Sequence, residues 1–356
     1  MKQWVPRWIQ KFVEGADVGI DLGTATTLVY VRGRGIVVRE PSVVALNLKT
    51  GTVVAVGAEA RAMLGRTPQH LRAVRPIVEG VISEFDIAQE MMRHLLARAL
   101  AAEPTSLTGP RVVIGVPTGI TTVEIRAVRD AAKAAGAREV HIIEEPVAAA
   151  IGLRLPIKEA QGSMVVDIGG GTTDIAVLSL GGVVESKNLR IAGDTFDQDI
   201  AQYLRNEFKL LVGEKTAEEI KWKLGAVREL PKPIETVVRG RDLVSGLPRE
   251  VAVTDSDIRE AIAPSVSLIS EGIREVVEST PPEVLTDIME RGAFLVGGGA
   301  LLRGLPEYFR DEVGLPFSVA PDPLLAVVRG TAAILEDTRQ YADILITHDE
   351  EPIAAN

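Results

Sequence analysis

The chain has 356 residues, 46% of them hydrophobic, 25% charged and only 4% aromatic, which suits two lobes with a core each. A net charge of −10 argues against broad nucleic-acid binding, and the absence of cysteine excludes disulfides, zinc thiolate sites and thiol catalysis while agreeing with a reducing cytosol. His70, His94, His141 and His348 have no metal-ligand spacing, and no apolar stretch approaches the roughly 20 residues that a membrane span needs.

Residues 1–15 depart from this acidic picture. Trp4, Val5, Trp8, Ile9, Phe12 and Val13 recur at helical spacing, with Lys2, Arg7 and Lys11 on other faces and Pro6 early enough for a first turn. The segment is too short and too charged to span a bilayer, and it lacks the apolar core and cleavage site of a signal peptide. A basic helix with a tryptophan and phenylalanine face reads as an interfacial membrane anchor; packing on the protein's own core stays open as the other reading. One short helix binds lipid weakly, so stable attachment would need many copies on one surface.

The next element is a short pattern that occurs twice. Asp21-Leu22-Gly23-Thr24-Ala25-Thr26-Thr27 and Asp167-Ile168-Gly169-Gly170-Gly171-Thr172-Thr173 lie 146 residues apart. Each is preceded by an apolar run, Val18 to Ile20 or Met164 to Val166, and followed by another, Leu28 to Val31 or Ile175 to Leu180. Gly35 and Gly181 keep the offset, with third apolar segments at Ile36 to Val38 and Val183 to Val184. Both copies read as strand, turn, strand. Glycine lets backbone N–H groups approach phosphate oxygens, and the threonines add donors. The aspartate would repel phosphate but can hold magnesium, usually through water. A single such turn is as readily an ordinary glycine hairpin; two copies in register favour a polyphosphate with its metal ion.

Between the copies, Pro41 to Gly57 predicts a hairpin around Lys49-Thr50-Gly51, Ala58 to Leu64 a short helix and Asp86 to Ala102 a long one. Strand Arg111 to Val116, helix Val123 to Ala135 and strand Glu139 to Ile143 follow in α/β rhythm. Glu144-Glu145-Pro146 stands where that strand gives way to helix Val147 to Leu153; it is a ligand-facing carboxylate position or simply an acid-stabilised helix start. After the second turn, helix Thr195 to Phe208 has Thr195 and Asp197 as plausible caps. Glu218 and Lys221 are one turn apart, the spacing of a surface ion pair. Leu230 to Val253, rich in proline, glycine and charge, reads as a peripheral subdomain, and Ile258 to Ser279 as a helix stopped by Pro281-Pro282. Strand Ala293 to Val296 enters Gly297-Gly298-Gly299 before helical Leu301 to Phe309; that turn would suit an adenine base or inner phosphates, or serve only as a packing turn. Asp349 to Asn356 reads as a frayed tail. Neither a P-loop nor a dinucleotide fingerprint is present; Gly213-Glu214-Lys215-Thr216 only echoes the former.

Two phosphate turns, an acidic connector and a late triple glycine in this order resemble the superfamily of actin, sugar kinases and DnaK-type chaperone ATPases. In detail the chain resembles the MreB family of bacterial actin homologues. The match is carried by Gly19 to Ala25, Glu40-Pro41-Ser42-Val43-Val44-Ala45, Met63 to Pro68, Arg75-Pro76, Gly80-Val81-Ile82, Glu144-Glu145-Pro146, Ala148 to Gly152, Met164 to Thr173 and Gly297 to Leu305, within residues 19 to about 335.

The resemblance implies an α/β, actin-like ATPase fold of two related, ribonuclease H-like lobes, with ATP or ADP and magnesium in the cleft. It implies a membrane helix over 1–15 and a first lobe over 16–157 with a small subdomain near 45–77. A second lobe over 158–326 would carry one near 194–257, and 327–356 would return to the first. Asp21 and Asp167 would hold the metal through water. Gly23, Thr24, Ala25, Thr26, Gly169, Gly170, Gly171 and Thr172 would cradle phosphates, and Gly193, Glu218, Lys221, Gly297, Gly298, Gly299 and Ala300 would meet the rest of the nucleotide. Glu145 stands at the family's water-activating position, helped by Thr172, for slow hydrolysis that times assembly. Head-to-tail repetition would give filaments, paired in this family, on the inner face of the cell membrane. They would be cytoplasmic, bind anionic lipid and organise, with membrane proteins of the cell-wall synthesis complex, a rod shape. The family's apolar membrane loop corresponds to about Glu103 to Thr108, where only Leu107 is strongly apolar, so Trp4 and Trp8 would carry more of the attachment. Thr26 replaces the family's usual asparagine, and Asp174 a usual glutamate. A small-molecule kinase or a chaperone-type ATPase of the same superfold is the alternative, though neither a substrate-pocket insertion nor a substrate-binding domain after residue 340 is visible.

Overall fold

The computed structural model describes residues 16–103 and 108–346. The candidate anchor residues Trp4, Val5, Trp8, Ile9 and Phe12 lie outside the described residues, as do Leu107 and the chain from 347 onward. The chain divides into two units, residues 1–158 with 325–356, and residues 159–324.

The first unit is organised by strand Asp17–Leu22, whose Val18, Gly19, Ile20 and Leu22 are buried. Such a strand needs neighbours on both edges. It pairs antiparallel with Thr26–Val31 and parallel with Arg111–Val116, and the sheet is completed by Gly35–Pro41 on one side and Glu139–Glu144 on the other. Helices Phe85–Leu100 and Thr122–Ala134 pack against one another and bury Met91, Leu95, Val128 and Ala131. The second helix begins with a capping box, Thr121 accepting from Glu124 N–H and Glu124 from Thr121 N–H. Helices Glu145–Gly152 and Ala326–Glu336 pack against each other so closely that a Cβ at Gly330 would overlap Ala148 O, and one at Gly152 would overlap Ala326 O. A side chain at Gly19 would likewise overlap the Thr331 hydroxyl. Three bare backbones thus seat the returning helix. A small sheet, ordered Thr52–Val56, Val44–Asn47, Leu71–Val74, carries helix Ala58–Met63, whose buried Ala60 clusters with Val43, Ala45 and Ala55.

The second unit repeats the sheet. Ser163–Ile168, buried at every residue, pairs antiparallel with Thr173–Ser179 and parallel with Ala293–Val296, with Gly182–Leu189 and Phe317–Val319 outside them. In both sheets the strand entering the glycine turn is third of five, and the two strands after the turn follow in the same order. Helix Asp255–Ser279 presents Ile258, Ile262, Val266, Ile269, Ile273 and Val276 at three- and four-residue spacing, all buried. Each contributes roughly 1.5–3 kcal/mol of apolar burial. Its Gly272 lets Leu189 and Ile175 approach, since a Cβ there would lie 2.6 Å from Leu189 Cδ1. The proline-rich stretch becomes strands Glu235–Asp242 and Pro248–Thr254, joined by Leu210–Leu211 into a three-stranded sheet beside helix Glu214–Leu224. Among the described residues no helix is long and apolar enough to cross a membrane.

Candidate functional site

In the first unit, Gly23 to Ala25 form the turn between strands Asp17–Leu22 and Thr26–Val31. A Cβ at Gly23 would come within 2.7 Å of Thr26 O, so the turn closes only on glycine. Ser42, fully buried, braces it from outside. Its hydroxyl donates to Gly23 O at 2.6 Å and lies 2.8 Å from Thr27 Oγ1, and its N–H donates to Ala25 O at 3.1 Å. Thr24 Oγ1 accepts the Gly80 N–H at 2.9 Å, which leaves the hydroxyl proton for another acceptor.

Asp21, at the end of the entering strand, is the register partner of Gly115 on the parallel neighbour. A side chain at 115 would meet Val327 Cγ1 at 2.9 Å and Glu145 Cγ at 3.4 Å. Bare backbone at 115 therefore admits Glu145, the first residue of helix Glu145–Gly152, to the strand end that carries Asp21. Burial pushes the Asp21 carboxyl up to about 7. A desolvated carboxylate of this kind favours a cation at its side.

In the second unit the turn closes through Gly169 N–H to Thr172 O at 2.9 Å. Among the described residues, the N–H groups of Gly170, Gly171 and Thr172 donate to no protein acceptor, the condition for receiving an anion. The Thr173 hydroxyl ties the following strand to Ile191 O at 2.6 Å. Helix Gly193–Glu207 is docked on the turn by its backbone: Gly193 N–H donates to Gly169 O at 3.2 Å and Asp194 N–H to Gly170 O at 2.7 Å. A Cβ at Gly193 would stand 3.2 Å from Gly169 O, a tight approach to the turn's backbone, and 3.4 Å from Lys221 Nζ.

This docking corrects the expected helix start. The helix opens at Gly193, and Thr195 acts from its third position, accepting Ala192 N–H, while Asp197 is no cap. Asp197 is instead the partner of Lys221, at 2.9 Å, with side chains 5% and 12% exposed; Lys221 also donates to Gly193 O at 2.7 Å. The expected surface pair within Glu218 and Lys221 is thus replaced, as far as Lys221 is concerned, by a buried one to a neighbouring helix. Burial pushes Asp197 up to about 7 against the opposing pull of Lys221, and its Oδ1 has no hydrogen-bond partner.

The triple glycine lies against the second turn. Gly297, with φ +78°, donates to Pro323 O at 3.0 Å, and a Cβ on it would overlap Asp167 Oδ1 and Ile168 O. A Cβ at Gly299 would overlap the Ile168 side chain. Gly299–Leu301 is a short 3-10 turn rather than the start of the expected helix, which begins at Leu305 after left-handed Gly304. The second unit therefore brings together Asp167, Gly169 to Thr172, Gly193, Lys221 and Gly297 to Ala300. The first brings together Asp21, Gly23 to Thr26 and Glu145. Sequence reasoning missed Ser42, Gly80, Gly115 and Asp197 as parts of the site. Ser42 and Gly80 had a signal, their places in the Glu40-Pro41-Ser42 and Gly80-Val81-Ile82 segments; Asp197 was read only as a helix cap, and Gly115 had none.

Two sheets of one strand order, each entering a glycine turn from an aspartate, define an actin-like fold. The structure of MreB5 of Spiroplasma citri bound to ADP matches with a TM-score of 0.87 and 38% identity, over 92% of this chain and 98% of that one; the same protein bound to AMPPNP matches equally. A MamK double helical filament matches with a TM-score of 0.77 and 25% identity, over 90% of this chain and 99% of that one. The profile of the MreB/Mbl protein family fits residues 15–343, and the chain belongs to that family. It is similar to the cell shape-determining protein MreB of Escherichia coli K12, 48% identical over 324 residues, covering 90% of this chain and 93% of that protein. It is similar also to the cell shape-determining protein Mbl of Bacillus subtilis 168, 46% identical over 321 residues, covering 90% and 96%.

Proposed function

We propose that the protein binds ATP with magnesium, polymerises into filaments, and acts on the inner face of the cell membrane to organise cell-wall synthesis and maintain a rod shape. The observation that carries this is the pair of glycine turns at equivalent positions of two equivalent sheets, each led by an aspartate. The nucleotide-bound Spiroplasma relative, the MamK filament and the cell shape-determining relatives support it.

The residues fit the nucleotide. A Cβ at Gly23, Gly193 or Gly297 would crowd its turn, and three successive N–H groups at 170–172 await an acceptor. Among the described residues no cluster of three or more His, Cys, Asp or Glu side chains can enclose a metal. Asp21 and Asp167 would therefore hold magnesium mainly through water, beside phosphate oxygens. The ion would neutralise phosphate charge as the terminal bond breaks. Gly193 and Lys221 would bound the nucleoside side, with Glu218 and Gly297 to Ala300. Glu145 would accept a hydrogen bond from the attacking water and orient it, and Thr172 would donate to phosphate. Hydrolysis is a slow timer on assembly in this reading, and ATP binding favours the polymer-competent form. Trp4, Val5, Trp8, Ile9 and Phe12 would seat the filament on anionic lipid, each copy weakly and the array firmly.

Sedimentation tests the reading with ATP, with ADP and with anionic liposomes, using the full chain and one lacking residues 1–14. We expect ATP-dependent pelleting, and lipid co-sedimentation that falls on truncation. Soluble protein under every condition would overturn the filament, and equal lipid binding after truncation would overturn the anchor.

A further inference from the structure

A cavity of about 470 Å³ opens in the first unit, and none of the residues assigned to nucleotide lines it. One wall comes from helices Glu145–Gly152 and Ala326–Glu336, through Ile151, Val328, Ala332 and Ala333. The other comes from Tyr30 and Ile36, a cross-strand pair on neighbouring strands. The strand register shifts between Val29 and Tyr30, an irregularity of the kind that re-aims side chains, and both members of the pair face the cavity. Across from them, Gly152, Ala332 and Ala333 carry at most a methyl group, which is why space is left. The two helices already touch backbone to backbone at Gly152 and Gly330, so their closer approach cannot fill it. The hollow is thus preformed, and its volume lies within the range of about 300–1,000 Å³ usual for small-ligand sites.

The charge on its lining is equally specific. Arg154 follows helix Glu145–Gly152 with φ +60°, its N–H donating to Ile151 O at 2.9 Å. Glycine is the usual holder of that left-handed position after a helix, and here an arginine takes it and brings a cation to the cavity. Among the described residues Arg154 has neither an ion pair nor a side-chain hydrogen bond. Arg329, also on the lining, has an interaction of its own. The acid close by, Glu336, accepts the Tyr30 hydroxyl at 3.4 Å and is paired with Arg32 at 3.2 Å. One uncommitted cation therefore stands beside an apolar wall. A polyphosphate would be undercompensated by it and repelled by Glu336, whereas a single carboxylate on an apolar body matches both the charge and the wall.

We propose that this cavity is a second ligand site, for a small amphipathic monocarboxylate, with the carboxylate on Arg154 and the apolar body against Tyr30, Ile36, Ile151 and Val328.

Decanoate serves as the probe, with decanol and decylammonium as its uncharged and cationic counterparts, all at concentrations where they stay monomeric. Each is titrated calorimetrically into full-length protein in excess ADP and magnesium, and into protein lacking residues 1–14, which removes the candidate lipid-binding segment. We expect saturable uptake of one decanoate per chain, the same with and without residues 1–14, and tighter than either counterpart by about tenfold or more. Arg154→Glu should weaken decanoate by about tenfold or more and leave decanol unchanged, while Arg154→Lys should hold decanoate within about threefold. Ala333→Leu fills the cavity and should abolish decanoate uptake; Ile36→Trp, from the strand side, is the second blocking variant should Ala333→Leu fail to fold. Absence of saturable binding, equal affinity for the three probes, loss of binding with residues 1–14, or binding indifferent to Arg154→Glu or to both blocking variants would each overturn the proposal.

Discussion

Lys221→Met separates two accounts of the ion pair with Asp197. Both side chains are nearly buried, and Lys221 also holds Gly193 O. A carboxyl raised to about 7 binds its proton more tightly when folded than when unfolded, where its value is about 4. Its contribution to stability is full below about pH 4 and is lost as the pH climbs to about 7, above which wild-type stability no longer changes through this group. Without Lys221 the folded carboxyl rises further, because burial remains and the compensating charge is gone. The variant then keeps losing about 1.4 kcal/mol per pH unit above 7, while the wild type does not. At pH 6 the cost is mainly the lost bond to Gly193 O, about 1.5 kcal/mol. At pH 8 it should be about 3 kcal/mol. For a unit the size of 159–324, the melting-temperature gap should widen by roughly 3–6 °C between pH 6 and pH 8. Calorimetry of nucleotide-free protein at pH 6, 7 and 8 measures it. A gap that stays constant, or narrows with rising pH, would falsify the assignment of a raised Asp197.

Gly297→Ala should cost roughly 2–4 kcal/mol, through its positive φ and the overlap with Asp167, and should abolish nucleotide-induced thermal stabilisation; retained stabilisation by ATP would separate this turn from the site. Ser42→Ala strips the brace from Gly23 O and should lower the first unit's stability by about 1–3 kcal/mol while weakening nucleotide binding, read by denaturation and titration. With Glu145→Ala we expect ATP binding to persist and phosphate release to fall by roughly 10²-fold or more; unchanged turnover would remove Glu145 from the chemistry.

What the sequence made legible was local. Residues 21–27 and 167–173 announced their turns because glycine, acid and threonine must be adjacent for the turn to work, and strand Ala293–Val296 emerged with both ends in place. What stayed hidden depends on backbone contacts between distant residues. Helix Gly193–Glu207 starts two residues before its expected cap because Gly169 and Gly170 carbonyls take its first N–H groups, a role no side-chain pattern records. Lys221 reaches Asp197, 24 residues away, rather than its helical neighbour. Gly115 betrays nothing by itself, since its part is to be absent where Val327 and Glu145 stand.

The seating of helix Ala326–Glu336 on Gly19, Gly152 and Gly330 also bears on how the protein is made. Residues 159–324 are contiguous, so that unit has all its strands as soon as they leave the ribosome. The first unit must wait. Its sheet emerges early, yet Gly19 stays uncovered until Thr331 arrives more than 300 residues later. Order of synthesis and order of completion are therefore reversed: the unit begun first is finished last, and until then it exposes an apolar sheet face that invites aggregation.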